Sequence, residues 1–244
     1  MHPSPAPATF ASAHGRALIV KILLVVGAVV TALSLLTDAL SLLLPPFEEG
    51  QELTDNAAGA AIALIGALIA FADVAIHLAT IIFFLVWLYR AHGNLAIINP
   101  HSRLEHSRVW AMVSFFIPFV NLFVPYRAIR ELWQKSGPPD EALLAEPSPP
   151  ATFPVWWAFW ILASVAGNVS FRLSLSETVA RSTVAQISMA AAVLSILAAI
   201  FAYLVVDAID KRQEETKSRL QLALFPTPPP PPTLAPAQDV VGPT

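Results

Sequence analysis

WLYRAHGNLAIINPHSRLEHSRVWAMVSFFIPFVNLFVPYRAIRELWQKS, residues 87–136, is the stretch around which the rest of the chain is arranged. It contains a basic loop, an apolar run interrupted by Pro118 and ended by Pro125, and an amphipathic segment. The apolar runs before and after it have the length and composition of ordinary membrane helices. The apolar run inside residues 87–136 lacks that length and composition, and the topology of the chain depends on whether this run crosses the membrane.

The composition is that of a membrane protein. The 244 residues are 56% hydrophobic and 13% charged, with a mean hydropathy of +0.64. The net charge of −3 gives no reason to expect nucleic acid as a partner. Because the chain has no cysteine, disulfides and thiolate metal sites are excluded. The abundance of Ala, Leu and Pro is typical of bacteria with GC-rich DNA, so we expect the bacterial inner membrane as its location.

Four apolar runs have the length of transmembrane helices: residues 22–44, 57–89, 155–171 and 184–206. We therefore expect a single helical transmembrane domain over residues 16–219. Residues 1–15 are rich in Pro and Ala and are predicted to be a disordered tail. Residues 220–244 include a run of prolines and are predicted to be a second disordered tail.

The fifth apolar run, residues 109–124, is too short for an ordinary span. Its 16 residues would reach roughly 24 Å as a helix, less than the roughly 30 Å hydrocarbon core. Pro118 interrupts its hydrogen bonding, Asn121 is costly to bury, and Pro125 suits the start of a new helix. Asn121 is predicted to hydrogen-bond the carbonyl freed by Pro118, and the alternative is that it lines a pore. Residues 126–136 then have the pattern of an amphipathic helix at the membrane interface.

The distribution of Lys and Arg favours a re-entrant hairpin. If residues 109–124 cross the membrane, the 14 basic residues divide seven and seven between the two sides. If they dip in and return, 12 lie on one side and 2 on the other. Basic residues concentrate in the cytoplasm, so we predict an all-α protein with four transmembrane helices, both termini cytoplasmic, and a hairpin docked between the helices. Five spans is the alternative.

Several short motifs within this stretch resemble a bacterial membrane family catalogued as domain of unknown function 4328. They are WLYRA from Trp87, Asn94-Leu95, Trp110, FIPFVNL from Phe116, Pro125-Tyr126, and ELW from Glu131. The likeness is close over residues 87–133 and loose over residues 57–219. It implies a multi-pass membrane protein but transfers no activity and no site residue. His101 and His106 depart from the family pattern.

Polar residues within the predicted spans form a candidate intramembrane cluster: Asp38, Asp73, His77, Asn168 and Arg172. Ionisable groups at membrane depth are costly, usually paired, and often functional. In the functional interpretation they form an outward-facing polar pocket in which Arg172 balances Asp73 or Asp38. In the structural interpretation they satisfy one another and hold the helices together.

A second set of residues marks the predicted cytoplasmic face as a candidate contact for anionic lipids or a protein partner. These residues are Arg103, Arg108, Arg127, Arg130, Trp133 and Lys135. The alternative is that the basic residues only set the orientation of the chain.

No pattern of an enzyme is found. His92, His101, His106 and Glu105 match no metal-binding motif, and nucleotide-binding loops and hydrolase motifs are missing. We predict no catalytic residue, no metal and no cofactor. The predicted function is a non-enzymatic membrane component that binds lipids or a protein partner in the membrane or cytoplasm. The alternative is a small transporter or channel that uses the intramembrane polar cluster.

Overall fold

The computed structural model describes residues 10–43, 56–100, 102–138, 147–176 and 178–224, and every regular element within them is helical. The helices are α1 (His14–Leu43), α2 (Ala57–Ile98), α3 (Arg108–Val113), α4 (Val124–Lys135), α5 (Thr152–Ser174) and α6 (Arg181–Leu224). A 3₁₀ turn, Val120–Leu122, lies between α3 and α4. The acidic first loop and most of both predicted tails lie outside the described residues.

Within the described ranges, four helices, α1, α2, α5 and α6, are long and apolar enough to cross a membrane. This agrees with the four spans predicted from the apolar runs. Residues 109–124 add no further helix of that length, because α3 has only 6 residues and is followed by turns around Pro118. The prolines and the short apolar run account for this break.

Side chains define several helix starts. Asn56 caps α2 by accepting a hydrogen bond from the backbone N–H of Gly59 at 3.0 Å. Ser107 caps α3 in the same way through the N–H of Trp110 at 3.1 Å. Pro125 lies in the first turn of α4, where a missing backbone N–H carries no penalty. A new helix, α4, thus begins six residues after Pro118.

The long helices pack in the spatial order α2, α1, α6, α5. α3 and α4 lie across one end of the bundle formed by these long helices, where they contact α2, α5 and α6. We call this end the base: it consists of the start of α1, the end of α2, α3, α4, the start of α5 and the end of α6. The largest fully buried side chains lie there, among them Trp87, Leu95, Leu132, Phe153 and Ile209.

Polar side chains on the last part of α6 connect the elements of the base. Gln213 is buried, donates to the carbonyl of Ala91 (2.8 Å) and to Ser136 (3.1 Å), and accepts from Asn94 (3.1 Å). Thr216 donates to the carbonyl of Ser136 at 2.8 Å. Buried polar groups with all of these partners specify one arrangement of α2, α4 and α6.

The N-terminal segment also joins the base. Lys21 on α1 contacts Asp207 at 2.9 Å and Asp210 at 3.5 Å on α6. Residues 10–13, which the sequence assigns to a tail, lie against the same part of the bundle. There Ser12 donates to Glu214, and Arg90 donates to the carbonyl of residue 11.

Candidate functional site

A cavity of about 530 Å³ lies between the long helices, next to the base. We call it the cleft. Its walls come from α2 and α5, and its floor comes from α1 and α6. Six of the nine floor residues are small, which leaves the volume open: Gly27, Ala28, Ser195, Ala198, Ala199 and Ala202.

Aromatic rings close the cleft at the base. The ring of Phe115, in the turn after α3, contacts Phe84 of α2 (5.8 Å between centroids) and Trp160 of α5 (6.1 Å). The indole N–H of Trp157 donates to the carbonyl of Leu122 at 3.1 Å and fixes the turn onto α5. The segment between α3 and α4 therefore bridges α2 and α5 and forms the end of the cleft.

The cleft is open on the side between α2 and α5. His77 and Ile81 on α2 line it and are exposed, and so are Ser164, Gly167 and Asn168 on α5. The opening lies along the same apolar helices that are long enough to cross a membrane. A molecule would enter it sideways, from the surroundings of the helices.

The predicted polar cluster lies in and around one end of the cleft. His77 and Asn168 line opposite walls, whereas Asp73, one turn from His77, accepts a hydrogen bond from Thr31 of α1 at 3.0 Å. Arg172 is exposed one turn beyond Asn168, and Asp38 is partly buried on α1. The structure thus brings His77 and Asn168 to one cavity, and a joint role for all five predicted residues stays a prediction.

Most polar atoms in the cleft are satisfied within their own helices. Thr80 donates to the carbonyl of Ile76 (2.7 Å) and Ser164 to that of Trp160 (2.7 Å). The amide nitrogen of Asn168 donates to the carbonyl of Ser164 at 2.8 Å. Among the described residues that line the cleft, polar atoms without a hydrogen-bond partner occur in His77, Asn168, Ser195, Trp156 and Trp160. Of these side chains, the His77 ring and the amide of Asn168 are exposed on the open side, where a ligand can reach them.

The predicted contact residues at the base fall into two groups. Arg103, Arg108, Arg127 and Arg130 are exposed, and Lys135 is partly buried. Trp133 instead packs inside the base, edge-on to Phe153 (6.0 Å) and beneath the guanidinium of Arg212 (4.3 Å). Its carbonyl accepts from Arg212 at 3.1 Å, so Trp133 helps to join α4 to α6.

Glu131 is the residue of α4 whose role the sequence did not predict. It is buried and accepts from the backbone N–H groups of Glu105 and His106, and it contacts Nδ1 of His106 at 2.7 Å. His106 is thereby held in the base. In the part of the chain that the structure describes, no group of three histidine or acidic residues is arranged to hold a metal, and His101 lies outside that part.

In the described residues all regular elements are helices and four of them are long and apolar enough to cross a membrane, which places the chain in the class of helical bundles with membrane-spanning potential. Within that class, the chain belongs to the family described as Domain of unknown function (DUF4328), whose model matches residues 50–211. This confirms the resemblance carried by the WLYRA and FIPFVNL motifs. The match runs from the loop before α2 into the polar part of α6, and so includes α2–α5 and most of α6. No curated protein and no solved structure is significantly similar to the chain.

Proposed function

We propose that the protein is a non-enzymatic, four-span membrane component that holds a lipid of the surrounding bilayer in the cleft. The observation that carries this proposal is the sideways opening of an apolar cavity between α2 and α5. The volume, about 530 Å³, is within the range of small-molecule sites. A cavity that opens along apolar helices is reached from the hydrocarbon, where lipid chains are the abundant molecules.

The hairpin supports a topology with the base in the cytoplasm of a bacterial inner membrane. Three phenylalanines of residues 114–123 are exposed: Phe116, Phe119 (82% exposed) and Phe123. Exposed rings at the tip of a turn are stable in hydrocarbon but not in water, so we propose that the turn re-enters the membrane. α4, with Arg127 and Arg130 exposed and Ile129 and Leu132 buried, then lies at the interface.

This topology predicts a definite labelling pattern. The chain has no cysteine, so single cysteines at Ala57, Ser148 and Ser218, all exposed, are unambiguous reporters. In intact cells, an impermeant thiol reagent is expected to label only the Ala57 variant, and all three after lysis. Labelling of Ser148→Cys and Ser218→Cys before lysis would contradict the re-entrant hairpin and place these positions outside.

Filling the cleft is expected to remove lipid binding. A Cβ at Gly167 meets open space, and Gly167 lines the cleft, so the phenylalanine ring of Gly167→Phe is expected to occupy part of the cavity. Loss of two buried methylene contacts, at about 0.8 kcal/mol each, already weakens binding about tenfold. The readout is crosslinking of a photoactivatable acyl chain to protein in nanodiscs, followed by mapping of the labelled peptides.

Gly66→Phe is the matched control for this variant. Gly66 is also a helical glycine with open space around it, but it does not line the cleft. We expect crosslinks at cleft residues in the wild type and in Gly66→Phe, and their loss in Gly167→Phe. Equal crosslinking of cleft peptides in all three proteins would overturn the proposal.

The exposed arginines of the base are the proposed contacts for anionic head groups or for a protein partner. Their position beside the interfacial helix supports a role in lipid contact. Electrostatic contacts of this kind weaken as salt is added, because the Debye length falls to about 3 Å at 1 M.

A transporter or channel is the second candidate function. It is favoured by the position of Asp73, which lies one turn from His77 at the edge of the cleft. The Asp73 carboxylate accepts a hydrogen bond from Thr31. Ion or proton flux into proteoliposomes that Asp73→Asn abolishes would establish it in place of simple lipid binding.

A further inference from the structure

We infer that the ligand of the cleft is an uncharged, hydroxyl-bearing amphiphile with a single chain, held with its chain toward the base and its head group between His77 and Asn168. This inference rests on the proposed lipid-binding function and specifies the ligand of that same site. It commits to one orientation and one head-group chemistry, each of which is tested separately below.

The orientation follows from the polarity of the cleft. Its base end is lined by aromatic rings, those of Phe84, Phe115 and Trp160 among them. Its other end contains His77 and Asn168 on opposite walls. His77 and Phe84 are seven residues apart on one helix, so the polar and aromatic ends are separated by about 10 Å. A hydrocarbon chain is most stable at the aromatic end, and a polar head group at the other.

The head-group chemistry follows from the unpaired groups of His77 and Asn168 at the polar end of the cleft. A polar group at membrane depth without a partner costs several kcal/mol, so a ligand that pairs it is strongly favoured. The imidazole of His77 can both donate and accept, and the amide oxygen of Asn168 can only accept. A hydroxyl can donate one hydrogen bond to the amide oxygen of Asn168 and accept another from the imidazole N–H of His77.

The charges around the polar end of the cleft favour a neutral head group. Asp73 lies one turn from His77, and its carboxylate bonds Thr31. Arg172 is exposed one turn beyond Asn168. In a medium of low dielectric an anion is repelled by Asp73 and a cation by Arg172, and a neutral head group avoids both repulsions.

The size of the cleft suits a small ligand. Its volume of about 530 Å³ is within the range of sites that hold one small molecule. The inferred ligand is therefore a small amphiphile, with one acyl chain and a small head group. A monoacylglycerol is a suitable probe.

The experiment uses tryptophan fluorescence, because Trp156 and Trp160 line the base end of the cleft. Full-length protein in nanodiscs is titrated with two monoacylglycerols that carry bromine, a quencher, either at the chain end or beside the glycerol. In Gly167→Phe the cleft is expected to be filled, so the quenching measured in this variant comes from probe in the bulk lipid. This background is subtracted from the quenching of the wild type. We expect the cleft-dependent quenching to be stronger for the chain-end bromine.

Head-group contacts are tested in the same titration with His77→Leu and Asn168→Leu. Each variant leaves a ligand hydroxyl without its partner, so we expect about tenfold weaker binding. Leu78→Ala is the matched control: Leu78 is adjacent to His77 but 56% exposed and outside the cleft lining. Its affinity is expected to equal that of the wild type.

The outcomes separate this inference from the proposed function. Cleft-dependent quenching that is equal for both bromine positions, or stronger beside the glycerol, overturns the orientation. Unchanged affinity in both His77→Leu and Asn168→Leu overturns the head-group assignment. Cleft-dependent quenching by a brominated two-chain phospholipid alone overturns the single-chain ligand but leaves the proposed function intact. No cleft-dependent quenching by any of these lipids overturns both.

Discussion

Replacing Glu131 with alanine is expected to lower the free energy of unfolding by about 3–5 kcal/mol, the cost of breaking a buried, hydrogen-bonded charge. Glu131 is only 7% exposed, and its carboxylate accepts from two backbone N–H groups, those of Glu105 and His106. The same carboxylate contacts Nδ1 of His106 at 2.7 Å. Alanine leaves these donors in the base without an acceptor, which costs far more than the loss of one surface hydrogen bond.

Reversible unfolding of the protein in detergent or bicelles measures this change. Glu215→Ala is the matched control, because Glu215 is an acidic residue on an exposed face of α6. Its unfolding is expected to match the wild type. Glu131→Gln keeps one acceptor oxygen and is expected to fall between the wild type and the alanine variant. If Glu131→Ala and Glu215→Ala unfold alike, Glu131 does not organise the loop before α3.

The second large effect is expected for Lys21→Met. The Lys21 side chain is 10% exposed and contacts both Asp207 and Asp210 of α6, the second of which is 4% exposed. Methionine keeps most of the volume but removes the buried charge beside the two carboxylates. Among the described residues, Asp207 then keeps the exposed Lys211, and Asp210 keeps only Nδ1 of the exposed His14 at 2.8 Å. We expect a loss of about 3 kcal/mol in the free energy of unfolding, the lower end of the range for breaking a buried ion pair.

Lys211 provides a stringent control for this prediction. It contacts the same Asp207 carboxylate at 2.7 Å, one turn along α6, but its side chain is 70% exposed. Exposed ion pairs contribute little because water and salt screen them. Lys211→Met is therefore expected to leave unfolding unchanged. Comparable destabilisation by the two variants would mean that burial does not distinguish these ion pairs.

The spans could be predicted from the sequence because each depends on local composition. Runs of apolar residues identify four helices, and Pro118 within a run of only 16 residues explains why no comparable helix forms there. The continuation of α6 beyond its apolar run was also predictable, since residues 207–224 keep a helical pattern of charged and apolar residues. These features need no knowledge of which helices are neighbours.

The cleft and the contacts of the base could not be predicted in this way. The cleft combines Gly27 of α1 with Ala198 of α6 and Asn168 of α5, and only the packing order brings them together. Residues 184–206 are rich in Ala and Ser, but the sequence does not distinguish small residues that make helix contacts from small residues that form a cavity floor. Gln213 and Glu131 resemble ordinary surface residues of amphipathic helices until their partners are known.

The contact between α1 and α6 in the base has a consequence for biosynthesis. Lys21 and Asp207 are separated by 186 residues, so at 5–20 residues per second the ribosome needs about 10–40 s between them. During that interval α1 is already made, while the carboxylates that neutralise Lys21 are not. A nascent chain that stops before α6 has an incomplete base with unpaired polar groups. Membrane chaperones and proteases can distinguish such a chain from a completed molecule by these groups.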